Sequence, residues 1–430
     1  MPPAAPRTAP DADTRLSTLP NGVRVLTLHL PAIETAAVSV FVRTGSRDEP
    51  ARLGGISHMA EHMAFKGTRQ RSCQQINWDA ERLGAEVNAH TDKDHTAYHM
   101  RGLAADAPEF VRQLGEIVRD SSFPADELER ERQVILQELA ETEDDAFDTA
   151  FRLFDKACWG EHPLARPVIG RRASIERIGR DDLQAYVAGR YTGGHTVVAA
   201  AGPVDHDQVV DAAARALGSL PPGAPPTVAA PVFRGGRGIK HMAGQSQAHV
   251  VFGFPSLPVT DPGHTAVQVA AAVLGEGMSS PLMDTLRERL GLVYYAACSA
   301  DLDDLAGQFV IEASLAPENL PAFADEVEGL LAAHARRVDP AQLERARRQL
   351  AVRRLRQWER PGRRLEEAVL DLFNFGRVRP LAERRGALEG VLPEHVRQVF
   401  AGLCAGPRAL GAAGHLPRAA VDRLRRLGPA

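Results

Sequence analysis

Gly55-Ile56-Ser57-His58-Met59-Ala60-Glu61-His62-Met63-Ala64-Phe65-Lys66-Gly67-Thr68 is the stretch around which the chain is organised. Apolar residues at Ile56, Met59, Met63 and Phe65, closed by Gly67, predict a helix. Two histidines four apart lie one above the other on a helix face, so both imidazoles reach one zinc ion. Glu61 stands three residues after His58 and directly before His62, close enough to touch a water on that metal. The order reverses the commoner His-Glu-x-x-His motif, and zinc peptidases use both orders. Solvated helices also carry such groups, so other parts of the chain must decide between a metal site and a charged helix face.

A catalytic zinc site takes three protein ligands and keeps a fourth position open. The run Leu128-Glu129-Arg130-Glu131-Arg132-Gln133-Val134-Ile135-Leu136-Gln137-Glu138-Leu139 is helical in composition. Glu131 and Glu138, seven apart, share a face of it. Glu138 is expected as the third ligand. Glu131 either supports the metal site from behind or takes a direct part in catalysis, and the sequence leaves both open.

These features resemble the inverzincins, the family of pitrilysin and the mitochondrial processing peptidases. The resemblance rests on His58 to His62, on Phe65-Lys66-Gly67-Thr68 after it, on the interval from His62 to Glu138, and on Glu131. Gly84-Ala85-Glu86-Val87-Asn88-Ala89-His90-Thr91 is similar to the family's Gly-Gly-x-x-Asn-Ala-x-Thr segment, with Ala85 in place of the second glycine. The resemblance implies an α+β fold of two homologous domains, each a mostly antiparallel sheet layered with helices. It implies a zinc endopeptidase acting on unfolded or extended peptides, with one Zn²⁺ per chain on His58, His62 and Glu138 and with Glu61 as general base. Arg287 and Tyr294, in Arg287-Glu288-Arg289-Leu290-Gly291-Leu292-Val293-Tyr294, have the spacing of the family's substrate-anchoring and oxyanion-stabilising pair. That run reads as a helix stopped by Gly291, then a strand, and strand alternation would send Tyr295 to the opposite face from Tyr294. Asn88, Ala89 and His90 are expected at a strand edge where a peptide substrate adds as an extra strand.

Composition sets the outer limits. The chain has 430 residues, 44% hydrophobic and 25% charged, which suits two or three soluble domains. A formal charge of −4 gives no reason to expect nucleic acid or a membrane surface as partner. No apolar run approaches the length of a membrane span. Arg and Ala outnumber Lys and Ile, the bias of a high-GC bacterial gene, and a cytoplasmic bacterial protein is expected. Cys73, Cys158, Cys298 and Cys404 form no C-x-x-C pair and read as buried free thiols.

Along the chain, Met1 to Thr14 reads as a disordered tail, 15–220 as the zinc domain, 221–231 as a linker and 232–430 as a second domain. Strands are expected at Val23–Leu30, Thr35–Arg43, within Asn88–Met100 and at Val197–Ala201. Helices are expected at Ser72–Leu83, Ala107–Arg119, Ala125–Glu143, Asp145–Ala157 and His206–Leu217. Pro221-Pro222-Gly223-Ala224-Pro225-Pro226 near the midpoint is the clearest linker. Shifting the chain by 215 residues lays Leu128-Glu129-Arg130 on Leu343-Glu344-Arg345 and His58 to Met63 on Val273 to Met278. Glu131 falls on Ala346 and Glu138 on Arg353, so the second half reads as a diverged copy without ligands.

Three further features have two readings each. His90, His95 and His99 crowd one segment, but along strands they are not expected to share a face, so satisfied or cleft-lining histidines are favoured over a second metal site. Glu141, Glu143, Asp144, Asp145 and Asp148 read as a solvated helix end or as a subsite for Arg or Lys of a substrate. For assembly, a chain carrying both zinc ligands and the Arg/Tyr pair suits a homodimer with composite sites. Half of a heterodimeric processing peptidase, or a non-catalytic assembly subunit, are the alternatives.

Overall fold

The computed structural model of the chain describes residues 13–224 and 227–426. In the first half, β1 (Asp13–Thr18), β2 (Arg24–His29), β3 (Thr35–Val42), β4 (Glu86–Thr91), β5 (Thr96–Leu103) and β6 (Thr196–Gly202) form one sheet in the order β1-β2-β6-β3-β5-β4. In the second, β7 (Gly236–His241), β8 (Ala248–Ser256), β9 (Val293–Leu302), β10 (Gly307–Leu315) and β11 (Ala409–Gly414) form another in the order β7-β11-β8-β10-β9. Without β1 the two orders coincide strand for strand. In each sheet one pair is parallel, β2 with β6 and β7 with β11, and the other pairs are antiparallel. The fold is therefore α+β with two homologous domains, as the resemblance implies.

The helices repeat as well. The first half carries α1 (Ile56–Ala64), α2 (Cys73–Glu81), α3 (Ala107–Arg119), α4 (Ala125–Asp144), α5 (Ala146–Trp159), α6 (Arg172–Ile175), α7 (Arg180–Arg190) and α8 (His206–Leu217). The second carries α9 (His264–Gly275), α10 (Pro281–Met283), α11 (Leu320–Arg336), α12 (Pro340–Trp358), α13 (Pro361–Phe375), α14 (Leu381–Glu389), α15 (Pro393–Ala405) and α16 (Arg418–Arg426). The starts of α4 and α12, Ala125 and Pro340, are 215 residues apart, and so are those of α5 and α13, Ala146 and Pro361.

Those last two helices exchange sides. Leu365, Val369, Leu372 and Phe373 of α13 pack on Leu26, Leu28, Phe41, Ala97 and Val197 of the first sheet. Ala146, Ala150, Phe154 and Cys158 of α5 pack on Val251, Val310, Ala409 and Ala413 of the second. Covering both faces explains why β6 is buried at all seven positions instead of alternating. The approach of α5 is close: a Cβ at Gly253 would fall 2.2 Å from ring atoms of Phe154. A buried clasp adds to the exchange. Arg47 Nη1 lies 2.8 Å from Asp303 Oδ1 and 2.5 Å from Asp304 Oδ1, and Arg43 Nη2 lies 3.0 Å from Asp304 Oδ2.

Most expected elements are present, α3 and α8 with the same bounds. Two readings need correction. Asp13 and Thr14 are not tail: they pair with His29 and Leu28 in β1, because Leu16 and its neighbours supply an outer strand for β2. Residues 1–12 of the expected tail, and Pro225 and Pro226 of the expected linker, lie outside the described residues. All four cysteines are free, but only Cys158 is fully buried and Cys404 is exposed. In the acidic run, exposed Asp145 caps α5, accepting from Asp148 N at 3.0 Å, and Glu143 pairs with Arg152 at 3.2 Å, as at a solvated helix end.

Candidate metal centre

Helix α1 is set by its entry. Gly55 adopts φ 94°, and a Cβ there would meet Ile169 O at 2.5 Å, so only glycine fits. The Glu49 carboxylate accepts from Gly55 N at 2.7 Å and Ser57 N at 2.8 Å, satisfying donors at the positive end of the helix. Burial raises the Glu49 pKa to about 7 against those hydrogen bonds. The Ser57 and Thr44 hydroxyls both meet the buried Tyr186 hydroxyl, at 2.7 and 3.0 Å. Ile56, Met59, Ala60 and Met63 face the core, which turns His58, Glu61 and His62 the other way. The helix ends at Ala64, before the expected Gly67, which sits in the following turn at φ 138°.

The His58 and His62 ring centroids are 4.6 Å apart. Glu138 of α4 places Oε2 3.8 Å from both Nε2 atoms. The three donor atoms lie within 4.8 Å of one another. Glu131, one heptad earlier, occupies the other side of His62: its Oε2 is 3.0 Å from His62 Nδ1, and its Oε1 is 2.6 Å from Lys66 Nζ. A proton on Nδ1 donated to Glu131 leaves the Nε2 lone pair of His62 facing His58 and Glu138. Burial, and then the neighbouring His62, lower the His58 pKa to about 4, which keeps that ring neutral and able to ligate. This His₂Glu donor set fits Zn²⁺, leaving room for a fourth position. Glu61 is held apart from the set by Thr91, whose Oγ1 donates to Glu61 Oε2 at 2.6 Å; burial raises the Glu61 pKa.

Other site residues fall elsewhere. Asn88, Ala89 and His90 lie on β4, the free edge of the first sheet, and Asn88 Oδ1 accepts from Ala89 N. Arg287 lies in a π-helical turn, Asp284–Arg289, and Tyr294 on β9, the matching edge of the second sheet. Among the described residues no hydrogen bond or ion pair joins either to the zinc-type cluster. Tyr294 is 76% exposed. It is the extra residue of a β-bulge, since Ser314 pairs with Tyr295 and Leu315 with Val293. Strict alternation therefore does not separate Tyr294 from Tyr295, which donates to Glu312 at 2.6 Å.

The three histidines are satisfied or line a cleft, as expected, but they share a face, which was not expected. His90 Nε2 lies 3.2 Å from His95 Nε2, and His90 Nδ1 2.9 Å from His99 Nε2. In the β4–β5 hairpin Asn88 faces His99 and His90 faces Ala97, so the turn resets the parity and all three rings share the outer face. The roles of Glu49, Lys66 and Thr91 had not been read from the sequence. An acid shortly before a helix start was the available signal for Glu49.

Comparison with known proteins places the chain in a family. Residues 24–172 match the model described as insulinase, peptidase family M16, and residues 177–350 the model described as the M16 inactive domain. A Rickettsia felis protein named an uncharacterized zinc protease is 30% identical over 86% of this chain and 89% of its own. A Mycobacterium tuberculosis protein with the same description is 38% identical over 72% of each. The yeast mitochondrial-processing peptidase subunit beta is 34% identical over 61% of this chain and 58% of its own. A Helicobacter pylori protease structure superposes with a TM-score of 0.87 at 20% identity, covering 94% of this chain and all of that one. The chain belongs to peptidase family M16. Its relatives are named zinc proteases, and among the described residues no helix is long and apolar enough to cross a membrane.

Proposed function

We propose that the protein is a zinc-dependent endopeptidase that hydrolyses peptide bonds in unfolded or extended peptides, working in the bacterial cytoplasm as a homodimer around a closed chamber. The observation that carries the reading is the convergence of His58, His62 and Glu138 beside a carboxylate, Glu61, that another strand holds. These three residues would hold Zn²⁺, which when bound would supply a Lewis acid for water and for the scissile carbonyl. Glu61 takes a proton from the attacking water on a carboxylate oxygen and returns it to the leaving amine. Thr91 fixes the direction of that carboxylate, and Glu131 holds His62 in its ligating tautomer. The edge of β4 at Asn88, Ala89 and His90 offers main-chain groups to an extended substrate. Arg287 and Tyr294, exposed on the edge of the other sheet, anchor the substrate and steady the oxyanion from the partner chain.

Metal and chemistry separate by mutation. Glu61→Gln should retain zinc at this site and lose roughly 10²- to 10⁴-fold in peptide hydrolysis. His58→Ala and Glu138→Ala should lose both. Wild-type turnover by Glu61→Gln, or full zinc and activity in Glu138→Ala, would overturn the assignment.

A further inference from the structure

The outer face of the first sheet carries a second constellation whose side chains the hydrolytic reading does not use. His90 comes from β4, His95 from the turn before β5, and Glu366 from α13 of the other half of the chain. One donor atom from each lies within 4.8 Å of the other two. The His90 and His95 Nε2 atoms are 3.2 Å apart. Two nitrogens bound to one tetrahedral zinc at about 2.0–2.1 Å stand roughly 3.3–3.4 Å apart. Glu366 brings Oε1 to 3.9 Å from His90 Nε2, while its Oε2 is held by Arg363 at 2.9 Å.

The groups behind the donors are already oriented. Asp94 Oδ1 lies 2.6 Å from His95 Nδ1, the carboxylate–histidine arrangement that fixes a ligand's tautomer with Nε2 bare. His99 Nε2 meets His90 Nδ1 at 2.9 Å, and Ser39 Oγ meets His99 Nδ1 at 2.7 Å. Without a metal the row closes on itself, with protons on His95 Nδ1, His90 Nε2 and His99 Nε2 and with Ser39 donating. With a metal, the protons of His90 and His99 move to their Nδ1 atoms and Ser39 accepts. Each ring carries one proton in both states, so a cation enters by a change of tautomer, with no net charge change on the histidines. Burial disfavours charge on all three rings and lowers the His90 and His99 pKa values; Asp92 and Glu366 oppose this at His90, and Asp94 joins them at His95, whose pKa is raised. His95 is buried, while His90 and Glu366 line an open cleft of about 970 Å³ through which a hydrated ion can enter.

We propose that His90, His95 and Glu366 form a second site for a zinc-type divalent cation, which pins the edge strand β4 of the first sheet to helix α13 of the second half. His90 and Thr91 are consecutive and face opposite sides of the hairpin, so the ion bears on the same strand that grips Glu61. The site stands independently of the hydrolytic reading.

The test is cation stoichiometry on the full chain, stripped by chelator and dialysed against micromolar free Zn²⁺ and, separately, Co²⁺. Wild type should bind two ions per chain, and His58→Gln and His90→Gln one each. The double variant should bind none. Glu366→Gln, on a partly exposed helix position, repeats the loss without disturbing the hairpin. Asp94→Asn should weaken the second ion about 10- to 100-fold. In the His58→Gln background, Zn²⁺ should raise the thermal midpoint, and adding His90→Gln should abolish the shift. Stoichiometry unchanged by both His90→Gln and Glu366→Gln in folded protein, or binding at this site only above about 100 μM, would overturn the proposal. Loss of the ion that needs His58, with the His90 ion retained, would instead strike at the hydrolytic site alone.

Discussion

Two helices in equivalent places show how one fold gains or loses a set of metal-type donors. α1 enters through a left-handed glycine, is capped by the buried Glu49, and turns His58, Glu61 and His62 away from the core. α9 enters through Gly263 at φ −76°, is apolar over most of its length, and is buried at eight of its twelve positions. At the 215-residue offset, the positions of His58, His62 and Glu138 are held by Val273, Gly277 and Arg353, and Gly277 lies beyond the end of α9. In place of a donor set, Arg353 Nη1 makes an ion pair with Glu276 Oε2 at 2.6 Å. Arg345 covers the end of α9, donating to Val273 O at 3.0 Å and also to Glu276 O. The second half thus uses its own guanidinium groups where the first half gathers donors for an external cation.

The comparison holds only while both halves stay docked, and Arg47 is the strongest point at which to break it. Its side chain is 6% exposed and faces Asp303 and Asp304 from the other half. Removing one partner of a buried ion pair leaves uncompensated charge, at about 3–5 kcal/mol. Arg47→Ala should therefore lower the unfolding free energy measured by denaturant titration by that much, and Arg47→Lys by less, since a point charge cannot serve two carboxylates as a planar fork does. A change below about 1 kcal/mol would show that the exchanged helices α5 and α13 hold the halves unaided.

A smaller effect is expected within α4. Glu131 and Glu138 are a heptad apart, and the sequence left the role of Glu131 open. Its contacts with His62 Nδ1 and Lys66 suit an orienting group. Glu131→Gln should weaken zinc about 10- to 100-fold and restore activity at high zinc, the pattern of a supporting carboxylate. Lost activity at full zinc occupancy would make it a direct participant.

What could be read from the sequence divides along chain distance. His58, Glu61 and His62 were legible because one helix turn sets their geometry. Glu138 was legible because helix periodicity and the resemblance agree on it. Both domains were legible from the midpoint linker and one offset. Thr91 holding Glu61 and α13 covering the first sheet depend on contacts far apart in sequence, for which spacing carries no signal. The shared face of the histidine row was missed because alternation was counted through a hairpin turn. The bulge at Tyr294 likewise breaks the period of two, and nothing local to Tyr294-Tyr295 announces it.

The comparison also predicts how the halves cooperate between chains. Glu61→Gln damages the first half and Tyr294→Phe the second, and each should be nearly inactive alone. After random subunit exchange, about half the dimers are mixed, and each has one site with both lesions and one with none. Activity should recover to roughly a quarter of wild type under two-fold pairing. Failure to recover despite proven exchange would put Tyr294 in its own chain's site, or outside catalysis.

The smallest expected effect lies at the ion pair that stands where the first half has its donor set. Arg353 and Glu276 side chains are 53% and 25% exposed, so solvent screens their attraction and ordering two long side chains offsets part of it. Such pairs contribute about 0–1 kcal/mol. Arg353→Leu should shift the thermal midpoint by no more than about 3 °C for a domain of this size, and leave peptide hydrolysis unchanged. Arg353→Glu restores a carboxylate at the position of Glu138, yet no histidine faces it and Glu276 repels it, so it should bind no ion and be the less stable of the two. A zinc-dependent rise in the midpoint of Arg353→Glu would break the comparison, because it would mean that the second half kept the geometry of a metal site and had lost only one ligand. A large loss of stability in Arg353→Leu would sharpen it differently, making the ion pair a closure on which the packing of α9 against α12 depends.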